Sequence, residues 1–438
     1  VKSNSKKSVR KAASSSAAPH AVLKDASRHL MNTYKRSDMI FTHGRGCYVF
    51  DQNGKKYLDF LGGIAVNALG YSYPDLVKTI RREAGRAVHV SNLFHNPFQG
   101  PLAAKLAKWS GMDRAFFTNS GSEAVEGALK LARIAAKKKS GGATRRSGRF
   151  LALENSFHGR TFGALSITHT LKYREPFEPL VPGVDFVRLN DVADLEAKFT
   201  DEVCAVIIEP IQGEGGIYPV TNEFWMRARE LATQHGAALI ADEIQCGLGR
   251  TGKEFAFQRL EGLPDIVIVA KPLAGGLPLG AFLAREEFAA SFSPGLHGST
   301  FGGGPLSCAT GLTFLNTVER NHLLANVRAR GAELKAGLKK MAAKFDFIRE
   351  VRGEGLMIGV DLDVEGAPYV AEALKEGLLI NCTHDHILRF LPPFILTAQQ
   401  VKEGLSKIES VLTKTERPAK SAAVASTPAA ALALAAAR

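Results

Sequence analysis

The stretch "PDIVIVAKPLAGGLPLGA", Pro264–Ala281, decides the fold. Ile266 to Ala270 is apolar throughout and β-branched at four of its five positions. So short and uniform a run fits a strand buried on both faces, as in parallel sheets covered by helices. Lys271 follows at once, with no polar spacer, and then come a proline, glycines and more apolar residues. A lysine at a strand end can carry its ammonium to water along its own stem. The sharper reading is that the lysine reacts. Desolvation and cationic neighbours lower a lysine's pKa and free an amine to attack an aldehyde.

Working outward, the same apolar signature recurs in "FLALEN" (150–155), "VCAVIIEP" (203–210) and "AALIADE" (237–243), with helical segments such as "EFWMRARELATQHG" between several of them. From about Pro101 to about Phe314 the alternation predicts an α/β fold, a doubly wound and mainly parallel sheet covered on both faces. "GCYVFDQNGKKYLDF" (Gly46–Phe60) reads as a hairpin around Asn53-Gly54. Beyond "ANVRARGAELKAGLKKMAAKF" the pattern turns to mixed α+β, with "LMIGVDLD" and "ILRFLPPF" as strands. The expected division is a basic, disordered or transit-like segment over 1–33, the first part of a small domain over 34–90, a large domain over 91–316, the rest of the small domain over 317–412, and a low-complexity tail over 413–438.

The formal charge of +13 raises the question of nucleic acid, and its location answers it. Nine Lys/Arg fall in residues 1–36 against Asp25 alone, and Lys414, Arg417, Lys420 and Arg438 face only Glu416 at the other end. The body between is close to neutral and makes no electrostatic case for nucleic acid. "KKKSGGATRRSGR" (137–149) reads as a solvated loop after a helix. No apolar run approaches the roughly 20 residues that span a bilayer, so no membrane partner is expected. Five scattered cysteines, never spaced C-x-x-C, fit a reducing compartment and neither a disulfide framework nor zinc. "THDHIL" places His384 and His386 two apart without a third ligand and reads as polar surface, so no metal is expected. The cytoplasm is the expected compartment, with the mitochondrial matrix as the alternative if residues 1–33 are a transit peptide.

Two further stretches converge on Lys271. In "TNSGSEAVEGALKLARIAAKK", Ser120 and Glu123 form a capping box, and the helix starts near Gly121-Ser122. Its free N–H groups favour an anion, typically phosphate. In "ALIADEIQCGLGRTGKEFAF", Asp242 ends an apolar strand, where open parallel sheets bind ligands. Asp242 can pair with a nearby arginine such as Arg250, or hold a protonated ring nitrogen. Gly247-x-Gly249-x-x-Gly252 matches a dinucleotide fingerprint, with Asp265 further on, but it follows its strand at a distance and opens no capped helix. A phosphate seat, an acid for a ring nitrogen and an imine-forming lysine together make a pyridoxal 5′-phosphate site.

"NSGSEAVEGALKLAR", "SFHGRTFGALSIT", "IIEPIQGEGG", "ADEIQCGLGRTG", "AKPLAGGLPLGA" and "HGSTFGGGPLSCA" stand in the order and near the spacing of class III pyridoxal-phosphate aminotransferases, and the resemblance runs from about Tyr34 to Leu412. It implies the type I fold of PLP-dependent transferases, a large domain with a mainly parallel seven-stranded sheet plus a smaller α+β domain. It also implies a homodimer with shared active sites. Lys271 resembles the Schiff-base lysine and Asp242 the partner of the pyridine nitrogen. Glu243 and Gln245 belong to the same cofactor-binding stretch, with Gln245 near the ring hydroxyl. Ile244 and Phe157 would press on the two ring faces, Gly121 and Ser122 would bind the phosphate, and Thr300 would reach the phosphate of the neighbouring subunit. On the substrate side the resemblance implies Ser299, the carboxylate-binding Arg160, and Arg389 paired with Glu214 in a switch that can release the arginine for a dicarboxylate.

"GGIAVNALGYSYP" (62–74) and "VHVSNLFHNPFQGPLAAKL" (88–106) look most like the acetylornithine aminotransferases, whose substrates are N-acetylornithine and 2-oxoglutarate. Ornithine aminotransferases usually carry a tyrosine near Ile64, and an apolar residue there suits an acylated amine. Pro272, Ala274, Gly304 and Ser122 depart from common family residues and remove no required functional group. Succinyldiaminopimelate, succinylornithine, ornithine and 4-aminobutyrate transaminases, a glutamate-semialdehyde aminomutase and, from another class, a nucleotide-binding oxidoreductase are the alternatives.

Overall fold

The structure is a computed structural model that describes residues 19–139 and 148–417. Seven strands form its central sheet: β1 (Arg114–Thr118), β2 (Arg149–Leu153), β3 (Val184–Val187), β4 (Val203–Ile208), β5 (Ala238–Asp242), β6 (Ile266–Val269) and β7 (Gly280–Ala284). Their order is β1-β7-β6-β5-β4-β2-β3. Only β7 runs antiparallel to its neighbours. Every residue of β4, β5 and β6 is buried. Alternate side chains serve opposite layers. Val206, Leu239, Val267 and Val269 join the core that holds Trp225 and Phe224, while Ile207, Ile240, Ile266 and Ile268 pack with the helix Gly121–Lys139. Period-2 alternation between two apolar layers is why these strands read as unbroken hydrophobic runs.

The expected hairpin forms, Tyr48–Asp51 pairing antiparallel with Lys56–Asp59. Leu378–Leu379 adds to it in parallel, so an early and a late segment of the sequence meet in one four-stranded sheet. A second four-stranded sheet contains Met357–Leu362 and Ile387–Phe390, the two strands expected there. The helix Leu323–Lys344 lies so close to the Ile348–Leu362 hairpin that a Cβ on Gly331 would overlap the Gly355 backbone. Two expectations change. Pro19–His29, inside the segment expected to be disordered or transit-like, is helical with no buried residue. His386, read as surface, is buried beside Asp361 at 3.8 Å, because it leads directly into the buried strand Ile387–Phe390. Most of the basic loop (140–147) lies outside the described residues, as do 1–18 and 418–438. Among the described residues no helix is long and apolar enough to cross a membrane.

Candidate active site

The carboxyl edge of the sheet assembles the site. β5 ends at Asp242, β6 leads to Lys271, β4 leads to Glu209, and β2 leads to Phe157 and His158. These residues line one cavity of about 330 Å³, together with Gly121, Ser122, Ile244 and Gln245. That volume suits a small organic ligand. Seven residues expected in cofactor binding therefore meet from four sequence segments.

Lys271 opens a short 3₁₀ turn, Lys271–Ala274, at φ +46°. A non-glycine residue in that region is strained, and such strain gathers at functional sites. Pro272 fits because the first turn needs no N–H from it. Burial holds the Lys271 ammonium below the usual lysine range, against the upward pull of Glu214 and Asp242, and Arg389 adds to the lowering. Its Nζ makes no hydrogen bond or ion pair to a described residue. The amine is held near opposite charges without being locked to one.

Asp242 is 2% exposed, and its partner is not Arg250. His158 Nδ1 donates to Asp242 Oδ2 at 2.7 Å, and the Ile244 N–H donates to Oδ1 at 3.1 Å. Arg250 instead donates to the carbonyls of Leu356 and Pro392 and lies 4.6 Å from the ring centre of Phe394. Glu243, expected in cofactor binding, lies outside the lining of this cavity. It turns away from the cavity and accepts from the N–H groups of Ala256 and Phe257 at 2.9 and 2.6 Å. Successive residues at a strand end point to opposite faces, so the neighbour of Asp242 braces a loop.

At the helix start, Ser120 Oγ accepts from the Glu123 N–H at 3.2 Å. Glu123 reaches past Ser120 to the Asn119 N–H at 2.8 Å, so the capping box closes one residue early. A Cβ on Gly121 would stand 2.8 Å from Ile244 Cδ1, and one on Gly159 would overlap Ser122 Oγ. Glycine keeps this approach to the first helical turn open, where the N–H groups lack intrahelical acceptors.

Phe157 and Lys271 also line a second cavity of about 740 Å³ with Ile64, Arg160 and Glu214. The Arg160 guanidinium lies 3.5 Å from the ring centre of Tyr173. Arg389 is fully buried behind this cavity. Its Nη1 donates to Glu214 Oε1 at 2.6 Å and to Gln245 Oε1 at 3.1 Å, while its Nη2 has no hydrogen-bond partner among the described residues. Burial would raise the Glu214 carboxyl, but Arg389 holds it below the usual range. Ser299 and Thr300 do not reach either cavity. They line a third, of about 920 Å³, with Leu93 and Asn92.

Sequence reading passed over His158 and Glu209. Glu209 follows a buried strand as Asp242 ends one, which is the signal that would have found it. It accepts from the N–H groups of Phe157 and Gly213, both at 3.0 Å. Burial pushes its carboxyl up to about 7, with His158 opposing and Asp242 adding to the rise. The dinucleotide pattern gains no support. Its glycines lead to the 3₁₀ turn Ala256–Arg259, and Asp265 pairs with Arg229 and Arg285.

The family profile for aminotransferase class-III matches residues 31–412. The chain belongs to the class-III aminotransferases. Among relatives of this family, the acetylornithine aminotransferase of Aquifex aeolicus is 44% identical over 386 residues, covering 88% of this chain and 100% of the relative. Among solved structures, the ornithine aminotransferase of Toxoplasma gondii, with PLP at partial occupancy in its active site, superposes with a TM-score of 0.86 at 31% identity, covering 90% of this chain and 94% of that one. The N-acetylornithine aminotransferase of Stenotrophomonas maltophilia gives 0.76 at 34% identity, covering 87% and 97%. Class-III aminotransferases depend on pyridoxal 5′-phosphate. The cavity fits that group on three counts: a lysine with its amine unpaired, a buried carboxylate fixed by a histidine, and a glycine-opened helix start.

Proposed function

We propose that this aminotransferase moves the terminal amino group of N-acetylornithine to 2-oxoglutarate, giving N-acetylglutamate semialdehyde and glutamate, as in arginine synthesis. The carrying observation is the apolar wall that Ile64 gives the cavity holding Lys271, Arg160 and Glu214. An isoleucine there offers no hydrogen bond to a free α-amino group and accommodates an acylated one. The identity to acetylornithine aminotransferases supports the same reading.

In this reading Lys271 would bind the cofactor's aldehyde and Gly121-Ser122 would hold its phosphate. Asp242 would partner a protonated ring nitrogen, Gln245 would serve the ring hydroxyl, and Phe157 and Ile244 would wall the ring. Bound there, pyridoxal 5′-phosphate supplies the aldehyde that takes up an amino group and the electron sink that lets the substrate carbon lose a proton. The Lys271 Nζ, biased toward the neutral amine by burial, takes that proton and returns it on the other side of the transfer. Arg160 anchors the donor's carboxylate. Arg389 stays on Glu214 while an amine donor is bound and turns its spare N–H groups to the second carboxylate of 2-oxoglutarate.

The donor is tested by initial rates with acetylornithine, ornithine and 4-aminobutyrate at fixed 2-oxoglutarate. Acetylornithine is expected to exceed the others in kcat/KM by about 10-fold or more, the worth of one well-made or mismatched pocket contact. Equal or better use of ornithine would sink the reading. The separate Ser299–Thr300 cavity, flanked by the 86%-exposed Leu93, leads us to read the working unit as a homodimer in which these residues serve the partner's site. Light scattering at micromolar protein should give twice the chain mass, and a stable monomer with full turnover would refute it. The cytoplasm is the compartment consistent with this activity.

A further inference from the structure

Asp59 ends the strand Lys56–Asp59 and is 1% exposed. One carboxylate oxygen accepts the N–H groups of Leu61 and Gly62 at 2.8 and 2.9 Å. The other accepts the Tyr71 hydroxyl at 2.7 Å. Beyond Phe60 and Leu61, the four residues Gly62, Gly63, Ile64 and Ala65 all lie at positive φ, between +58° and +64°. Glycine adopts that conformation freely, whereas a β-branched isoleucine there is an outlier. Such a turn persists only when its surroundings over-determine it.

The surroundings are specific. The Val66 and Asn67 N–H groups close the turn on the Gly62 carbonyl at 2.8 and 2.7 Å. A Cβ on Gly62 would stand 2.8 Å from the Leu391 carbonyl, and the Leu391 N–H donates to the Phe60 carbonyl at 2.6 Å. Tyr71 is itself pinned, exchanging backbone hydrogen bonds with Gly46 at 2.8 and 3.0 Å. What the turn presents is functional surface. Ile64 lines the cavity of Lys271, Arg160 and Glu214, and Val66 lines the cavity of Lys271 and Asp242. Asp59 and Tyr71 line neither.

We propose that Asp59 and Tyr71 are positioning residues for the amino donor, acting through the left-handed turn Gly62–Ala65 that sets Ile64 in the wall of the substrate cavity. This rests on the donor reading above. The acylated donor is the longer substrate and reaches the half-exposed Ile64, whereas 2-oxoglutarate is held by the arginines. Losing the Tyr71 hydroxyl would loosen the turn and blur the wall, costing donor affinity more than chemistry.

The test uses full-length holoenzyme carrying Tyr71→Phe, Ile64→Ala, and both. Kinetics are read on acetylornithine, or on whichever amine the wild type uses best, alongside Tm and amide exchange over residues 59–71. Tyr71→Phe is expected to raise donor KM about 3–10-fold, with kcat and the 2-oxoglutarate KM within about 2-fold, and to speed exchange in that segment. In the Ile64→Ala background it should add less than about 2-fold, because both changes remove the same wall. Additive effects on donor KM, an equal rise in both substrate KM values, or an unchanged donor KM would each overturn the proposal. A wild type that prefers another donor defeats the acetylornithine reading alone, since the positioning effect is then read on that donor.

Discussion

Lys271→Ala lowers transamination by more than about 10³-fold and leaves the chain folded. The substitution removes one nitrogen and with it two tasks, binding the cofactor's aldehyde and moving the substrate proton. No other described amine stands ready in that cavity, whose remaining ionisable residues are Asp242, Glu209 and His158. The fold survives because the neighbours keep their partners. Glu214 retains Arg389 at 2.6 Å, and Asp242 retains His158 at 2.7 Å. A buried lysine that makes no hydrogen bond contributes little to stability, since its own desolvation opposes it. Tm should therefore stay within a few degrees of wild type. Small primary amines at millimolar concentration should restore part of the rate, because the 740 Å³ cavity opens onto the vacated position. Stopped-flow single turnovers read this directly. A variant that keeps a tenth of wild-type turnover without added amine would remove Lys271 from the chemistry.

How much of this was legible in the sequence follows from the range over which each signal acts. The strand Ile266–Val269 and the lysine after it are local features, and both stand where the apolar run placed them. So do the other buried strands, because residues covered on both faces must be apolar wherever they fall. Partners were harder. His158 and Asp242 are 84 positions apart and meet only because β2 and β5 flank β4 in one sheet. Arg250, eight residues from Asp242, was one partner that nearness in sequence offered, yet the chain carries it to Pro392 instead. Glu243 shows the opposite case: the resemblance put it with Asp242 in the cofactor-binding stretch, and its side chain goes to the Ala256–Phe257 loop. The turn at Gly62–Ala65 was invisible because glycines announce permission for positive φ and say nothing of Ile64 and Ala65 following them. Ser299 and Thr300 differ again. Their motif was readable, but the cavity they line is apart from Lys271, so within one chain their expected role has no substrate to act on.

Asp242→Asn should reduce kcat by about 10²–10⁴-fold, with little loss of cofactor retention. The amide has the shape of the carboxylate and still accepts from the Ile244 N–H, now at 3.1 Å. What disappears is the negative charge that a protonated ring nitrogen requires, and with it the withdrawal of electrons from the reacting carbon. A histidine partner alone cannot replace it. His158→Ala, which leaves the Asp242 carboxylate in place and removes the hydrogen bond that orients it, should cost about 10-fold. The two variants therefore separate charge from orientation. Glu209 supplies an independent reading. Asp242's charge helps to raise the Glu209 carboxyl to about 7, so Asp242→Asn should move it downward. A carboxyl that titrates near neutrality in the wild type would then be ionised at lower pH, which carbon-13 labelling of glutamate can follow. Should Asp242→Asn keep turnover within about 3-fold of wild type while the Glu209 titration shifts as expected, Asp242 would be a structural neighbour of the histidine and the pyridine nitrogen would find its partner elsewhere.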